Sequence, residues 1–351
     1  MDSKSSSARP VGVIGAGSFG TAMANLLAQK SPVFLYARSQ EVVDEMQATR
    51  MSNGQALHEG IRVTNDPKEV AEACEVIFPM VPSGNFREMI QRFAPYLHPY
   101  HLMIHGTKGL DTSLASEEAL YGNKKLTRKH VRTMSEVIRQ ESVVVRIGCL
   151  AGPNLARELA EGKPAATVIA SHFEEVIAAG QRLLRSDRFQ VYGNNDLIGV
   201  ELCGVLKNII AIASGMTQQM DLGENARGLL ISRGLIEMIY LGQAFGGNIK
   251  AFIGLAGVGD LVATSNSTTS RNFTVGRLLA QGKSLDEIRQ EMEEVAEGVN
   301  TIKIAKKLAE SVGMRLPITE SLHRVLFGTL EAEEALANLM KYPFYQDVDF
   351  L

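Results

Sequence analysis

The chain has 351 residues, 45% of them hydrophobic and 21% charged, with a formal net charge of −3. That length allows two domains with real cores, and the near-neutral balance excludes wholesale binding to nucleic acid or to an acidic membrane, so any anion site must be local. Three scattered cysteines, Cys74, Cys149 and Cys203, are too few to build a disulfide or metal framework and are expected as free thiols in a reducing cytoplasm.

Residues 1–9 read as a short, flexible, serine-rich tail lacking the apolar region of a secretory signal. Val11 to Gln29, VGVIGAGSFGTAMANLLAQ, then runs without a charge. It is long enough to span a membrane, but Gly12, Gly15, Gly17, Ser18, Gly20, Thr21 and Asn25 make it a poor lipid-facing helix, and no stable membrane insertion is expected. VGVI reads as a buried strand, and TAMANLLAQK as a helix with Met23, Leu26 and Leu27 at helical spacing. Between them, Gly15, Gly17 and Gly20 match a dinucleotide-binding turn. The first permits the bend, the second lets pyrophosphate approach the backbone, and the third lets helix pack on strand, with Ser18 and Phe19 inside the loop. GxGxxG alone is weak evidence; the strand before it and the helix after it strengthen the reading.

The alternation continues through PVFLYAR, EVVDEMQATR, DPKEVAEACE, VIFPMVP, NFREMIQRFAPYL and HLMIHGTKG. Alternating strand and helix predict an α/β N-terminal domain over residues 10–194, a Rossmann-type doubly wound parallel sheet covered on both faces. An acid commonly follows the second strand to hold the adenosine ribose; here Arg38 stands instead. It can stack on adenine or pair with a 2′-phosphate, which favours NADPH while allowing NADH, or it is a plain surface arginine. Lys108 follows the HLMI run, at the strand end that faces the ligand crevice in an open parallel sheet, where it contacts cofactor or substrate or is a plain solvated loop lysine.

From residue 195 to 351 the 3.6-residue spacing predicts an all-α C-terminal domain: RGLLISRGLIEMIYLGQAF, SLDEIRQEMEEVAEG, TIKIAKKLAESVG and EAEEALANLM are all amphipathic. Asp196 to Met216 is apolar almost all round, a buried helix carrying Glu201, Lys207 and Asn208. A buried lysine needs a partner and is suited to proton transfer, unless its head reaches water. Asp260, set among glycines and aliphatics, needs a cation or hydrogen-bond donor, and Lys207 is a candidate. Ser270, Arg271 and Asn272 sit at the predicted start of another helix, where amides and a guanidinium could hold a small phosphate or simply cap the helix.

Nine ordered pieces, GAGSFGTAMA, VPSGNFREM, TKGL, AGPN, VELCGVLKNIIAIASG, NARGLLISRGL, GLAGVGDLVATS, SRNFTVG and VAEGVNT, resemble the soluble bacterial-type NAD(P)-dependent glycerol-3-phosphate dehydrogenases. The resemblance implies a helical domain like that of 6-phosphogluconate dehydrogenase and reduction of dihydroxyacetone phosphate to sn-glycerol 3-phosphate, feeding phospholipid synthesis. It implies Lys207 as proton donor and acceptor, Asp260 as its tuning partner, and Lys108 beside the developing alkoxide. Gly152, Asn154, Asn208, Ser270, Arg271 and Asn272 would bind substrate. The cofactor would contact Gly15, Gly17, Ser18, Phe19, Gly20, Arg38, Lys108, Ala156, Arg271, Val295 and Glu297. A cytoplasmic homodimer acting on a small molecule is expected at the family level. Asn154 departs from the family's usual AGPS serine, and the polar stretch from Ser116 to Glu141 looks longer than its family counterpart. The rivals are a 3-hydroxyacid or 6-phosphogluconate-type dehydrogenase, which would lack the GVGDL and SRN pieces, and a non-catalytic dinucleotide sensor, which would not need the lysine and carboxylate.

Overall fold

The computed structural model describes residues 9–292 and 296–340. Of the expected tail, only Arg9 is described; it pairs with Glu75. The chain divides into two compact units, Met1–Lys108 with Thr133–Leu197 and Gly109–Arg132 with Ile198–Leu351. A single cut between residues 194 and 195 therefore differs from this division at Gly109–Arg132, which groups with the helices. Its sequence is polar, but Leu126 and Val131 are fully buried. Lys307 Nζ donates to Gly122 O at 2.7 Å, and Lys303 Nζ lies 3.3 Å above the Tyr121 ring.

In the first unit the strands are β1 Val11–Ile14, β2 Val33–Tyr36, β3 Met51–Ser52, β4 Gln55–Ala56, β5 Ile61–Thr64, β6 Val76–Pro79, β7 Leu102–His105, β8 Arg146–Ala151, β9 Ala165–Ser171 and β10 Phe189–Asn194. Eight form one sheet in the order β10-β9-β8-β7-β6-β1-β2-β5, while β3 and β4 make a separate hairpin. Neighbours in the large sheet run parallel, with Val11 opposite both Val33 and Val76. The exception is the antiparallel β8–β9 pair, in which Gly148 faces Ser171. No strand-to-strand crossover is required there, because the chain reverses through a loop holding only the short helix Ala156–Ala160.

Side chains alternate faces along each strand, and both faces are covered. Val11, Val13, Phe78 and Ile104 join Met23 and Leu27 of the helix Ser18–Ala28 in one core. Ile14, Ile77, Met103 and Ile147 join Phe86, Ile90 and Phe93 in the other. Burial on both faces explains why these strands read as continuous apolar runs rather than alternating ones.

The second unit is helical among its described residues, apart from one isolated bridge between Asp111 and Arg132. Its central helix, Leu197–Gln219, is long and apolar enough to cross a membrane by composition, but 94% of its most apolar window is buried within the protein. The unit's other helices include Gly223–Ala244, Asp260–Ser265, Arg271–Ala280, Leu285–Glu291, Glu297–Ser311, Pro317–Leu326 and Ala332–Met340. The three cysteines are buried and form no disulfide, and burial pushes the Cys74 thiol up to about 12.

Candidate active site

The glycine turn leaves β1 at Gly15, whose φ is +112°, and Gly15 N donates to Tyr36 O at 3.0 Å. A Cβ on Gly20 would lie 1.9 Å from Gly15 O, so only glycine lets the helix Ser18–Ala28 sit so close to the turn. Gly17 is different: among the described residues a Cβ there would meet nothing within 4 Å beyond its chain neighbours, which leaves that side open to a ligand. The helix has no side-chain cap bond at Gly17 and no acid in its first turn. Its first amides and its positive dipole end are therefore available to an anion, and the turn fits a dinucleotide pyrophosphate.

Other residues expected at a cofactor lie around this turn. Phe19 borders Gly106 at the end of β7, where a Cβ would come within 3.0 Å of the Phe19 ring. Ala156 opens the short helix that packs on Ser18–Ala28. Arg38 is exposed, two residues beyond the end of β2, and β2 lies next to β1 in the sheet.

Adjacent parallel strands β7 and β8 bring Lys108 and the AGPN segment together at their carboxyl ends. Lys108 Nζ reaches Gly152 O at 3.5 Å, a long contact. Gly152 has φ +148°, and Asn154 Nδ2 donates to Ala166 O at 3.1 Å. Asn154 Oδ1 is buried without a hydrogen-bond partner among the described residues. The Asn154 amide thus gives one N–H to the backbone and keeps a buried acceptor oxygen.

In the second unit the charged residues expected to meet do so. Lys207 Nζ donates to Asp260 Oδ1 at 2.6 Å, and the two side chains are 6% and 3% exposed. The central helix supplies Lys207, while Asp260 begins the helix Asp260–Ser265. One turn on, Thr264 Oγ1 donates to Asp260 Oδ1 at 3.1 Å and also contacts Lys207 Nζ. Taking both charges out of water is costly, and this mutual bonding offsets that cost. Thr264 was missed in the sequence, although its i+4 spacing from Asp260 places it on the same helical face.

A second convergence lies in the same unit. Ser270 caps the helix Arg271–Ala280 by accepting from Phe273 N, and the following residues are exposed Arg271 and buried Asn272. Asn272 Oδ1 accepts from Gly298 N at 2.9 Å, satisfying an amide at the start of the helix Glu297–Ser311. A Cβ on Gly298 would come within 2.9 Å of Asn208 O. Buried Asn208, next to Lys207, is thereby joined to Asn272 and to the helix that begins at Glu297. Val295 lies outside the described residues.

Comparison with known proteins gives this geometry a family. Residues 10–177 match the model of the NAD-dependent glycerol-3-phosphate dehydrogenase N-terminus, and residues 196–337 match that of its C-terminus. A glycerol-3-phosphate dehydrogenase [NAD(P)+] of Pseudomonas fluorescens is 39% identical over 348 residues, 98% of this chain and 94% of its own. One from Geobacter metallireducens is 41% identical over 338 residues, 94% of this chain and 96% of its own. The crystal structure of glycerol-3-phosphate dehydrogenase from Coxiella burnetii, 35% identical, superposes with a TM-score of 0.85 over 95% of this chain and 99% of its own. With a pyrophosphate-type turn in one unit and a buried lysine–carboxylate pair in the other, the chain belongs to the NAD(P)-dependent glycerol-3-phosphate dehydrogenase family.

Proposed function

We infer that the chain is an oxidoreductase that reversibly reduces dihydroxyacetone phosphate to sn-glycerol 3-phosphate with NADH or NADPH, supplying the glycerophospholipid backbone. The observation that carries the chemistry is the buried Lys207–Asp260 pair with Thr264 bridging it. When bound, the reduced nicotinamide supplies a hydride to the carbonyl carbon. Lys207 holds on Nζ the proton that the carbonyl oxygen takes up, and in the oxidative direction its amine receives the hydroxyl proton. Asp260 and Thr264 fix Nζ in place and compensate its charge. Lys108, with Gly152 and Asn154 beside it, supplies positive potential for the developing alkoxide.

Ser270, Arg271 and Asn272 would take the substrate phosphate, Arg271 as a guanidinium donor at a helix start. Asn208 would orient substrate next to Lys207. The cofactor would lie on Gly15, Gly17, Ser18, Phe19 and Gly20, with Lys108, Ala156, Arg271, Val295 and Glu297 as further contacts. Arg38, exposed after β2, supports preference for NADPH over NADH. A homodimer and a cytoplasmic setting complete the reading.

The test is to mix purified protein with dihydroxyacetone phosphate and either reduced nucleotide, and to follow absorbance at about 340 nm, where reduced nicotinamide absorbs. Loss of absorbance is expected with both, faster with NADPH at limiting concentration. In Arg38→Ala that advantage should shrink by about tenfold, the scale of one charge-assisted hydrogen bond. No turnover with either nucleotide would refute the assignment.

A further inference from the structure

The β3–β4 hairpin lies outside the large sheet, and the reaction as described gives it no task, yet it is bound closely to the cofactor turn. Its tip is Asn53 and Gly54, both with positive φ. Arg50 anchors its base, donating to Ile61 O at 2.9 Å and to His58 O at 2.6 Å. Asn25, on the helix after the turn, donates to Ala56 O and accepts from His58 N, each at 2.9 Å.

From this frame the hairpin side chains reach two carbonyls of the turn. Asn53 Nδ2 donates to Ala16 O at 2.6 Å, and Ser52 Oγ donates to the same oxygen at 3.3 Å. Ser52 Oγ also bonds Thr21 Oγ1 at 2.9 Å, inside the first turn of the helix. Gln55 Nε2 donates to Ser18 O at 3.2 Å.

Peptide planarity gives these bonds a consequence. In a trans peptide the C=O and the following N–H point in opposite directions, so fixing one aims the other. Ala16 O is held toward the hairpin, which turns Gly17 N–H away from it. Ser18 O already points along the helix that begins there, and the added bond from Gln55 steadies the peptide that carries Phe19 N–H. These amides belong to the uncapped helix start, beside Gly17, where an added Cβ would meet no atom of the described residues within 4 Å beyond its chain neighbours.

We propose that Ser52, Asn53 and Gln55 are positioning residues for the nicotinamide dinucleotide: the hairpin holds the carbonyls of Ala16 and Ser18 so that the Gly17 and Phe19 amides are preset toward the pyrophosphate. The proposal rests on the dehydrogenase reading only in requiring that a dinucleotide occupies this turn. Without the hairpin bonds the peptide before Gly17 would have to be ordered as the ligand binds and the first turn of the helix would be less firmly held, and affinity would fall by that cost.

The experiment uses the full chain with Asn53→Gly, which tolerates the positive φ and removes only the side chain, and with Gln55→Ala. Dissociation constants for NADPH and NADH are measured by nucleotide fluorescence, KM and kcat with dihydroxyacetone phosphate, and urea unfolding without nucleotide. Both variants should raise Kd and KM for the nucleotide about three- to tenfold, as loss of one hydrogen bond's orienting effect implies. kcat at saturating nucleotide should stay within about twofold, because a preset binding site is not needed once the nucleotide is bound, and the unfolding midpoint should shift by no more than the loss of one hydrogen bond explains. Unchanged Kd in both variants overturns the proposal, as does weaker binding that merely follows a lowered unfolding midpoint. Wild-type protein that binds neither nucleotide overturns the dehydrogenase reading with it. Wild-type binding and turnover with unaffected variants refutes the hairpin's role alone.

Discussion

Lys207 and Asp260 depend on each other for more than chemistry, because each makes burial of the other's charge tolerable. Lys207→Met should lower kcat/KM by about a hundred- to ten-thousandfold, the range of a lost general acid. It also takes the ammonium away from the Asp260 carboxylate, which is 2% exposed, and should cost about 3 kcal/mol of stability. Adding Asp260→Asn removes the stranded charge. The double variant should therefore recover most of the stability seen in urea unfolding while its turnover stays at the level of Lys207→Met. Recovery of turnover with stability would contradict the assignment of proton transfer to Lys207. At this scale the sequence was informative because two charged residues stood in apolar settings, which demands a partner. Thr264 was not legible, since a threonine on a helix is unremarkable until the atoms it bridges are known.

The helix Pro317–Leu326 shows the same logic applied to a whole element. Its first amides are satisfied from another helix: Glu237 accepts from Ile318 N at 2.5 Å, and from Thr319 N and Thr319 Oγ1 at 3.1 and 2.8 Å. These bonds favour the carboxylate, but burial outweighs them, with Glu320 adding repulsion, and pushes the Glu237 carboxyl up to about 7. Because the folded state holds this proton more tightly than the unfolded state, the contribution to stability is complete below about pH 4.5 and is lost as pH rises through 7. The loss is on the order of 3 kcal/mol. Glu237→Gln cannot ionise, so urea unfolding at a series of pH values should show the variant gaining on wild type between pH 5 and 8, by about 2 kcal/mol or more. A difference that does not vary with pH would rule out this titration. The helix itself was not singled out in the sequence, and the long-range cap that starts it left no local signature. By contrast, Val11–Ile14, Ser18–Ala28 and Leu197–Gln219 were legible because burial leaves its mark on most residues of the element.

For the molecule as a whole, the least legible feature is that the helical unit is built from two stretches of chain. Gly109–Arg132 leaves the first unit after β7 and returns before the helix Met134–Glu141, its ends joined by the Asp111–Arg132 bridge. Its composition suggests a solvated loop, and the average hides the anchors. Leu126 is 1% exposed, Val131 is fully buried, and Arg128 lies over the Phe245 ring at 5.1 Å. If the segment is part of the second unit's core, a charge at Leu126 has nowhere to be hydrated without undocking it. Leu126→Asp should then cost about 3 kcal/mol or more by urea unfolding, as an unpaired buried charge does, whereas Lys125→Asp, one residue away and exposed, should change stability by less than about 0.5 kcal/mol. Equal, small effects would mean that the segment is an appendage. A large effect at Leu126 alone means that a stretch reading as surface loop holds together the unit that carries Lys207, and that its length is constrained by packing.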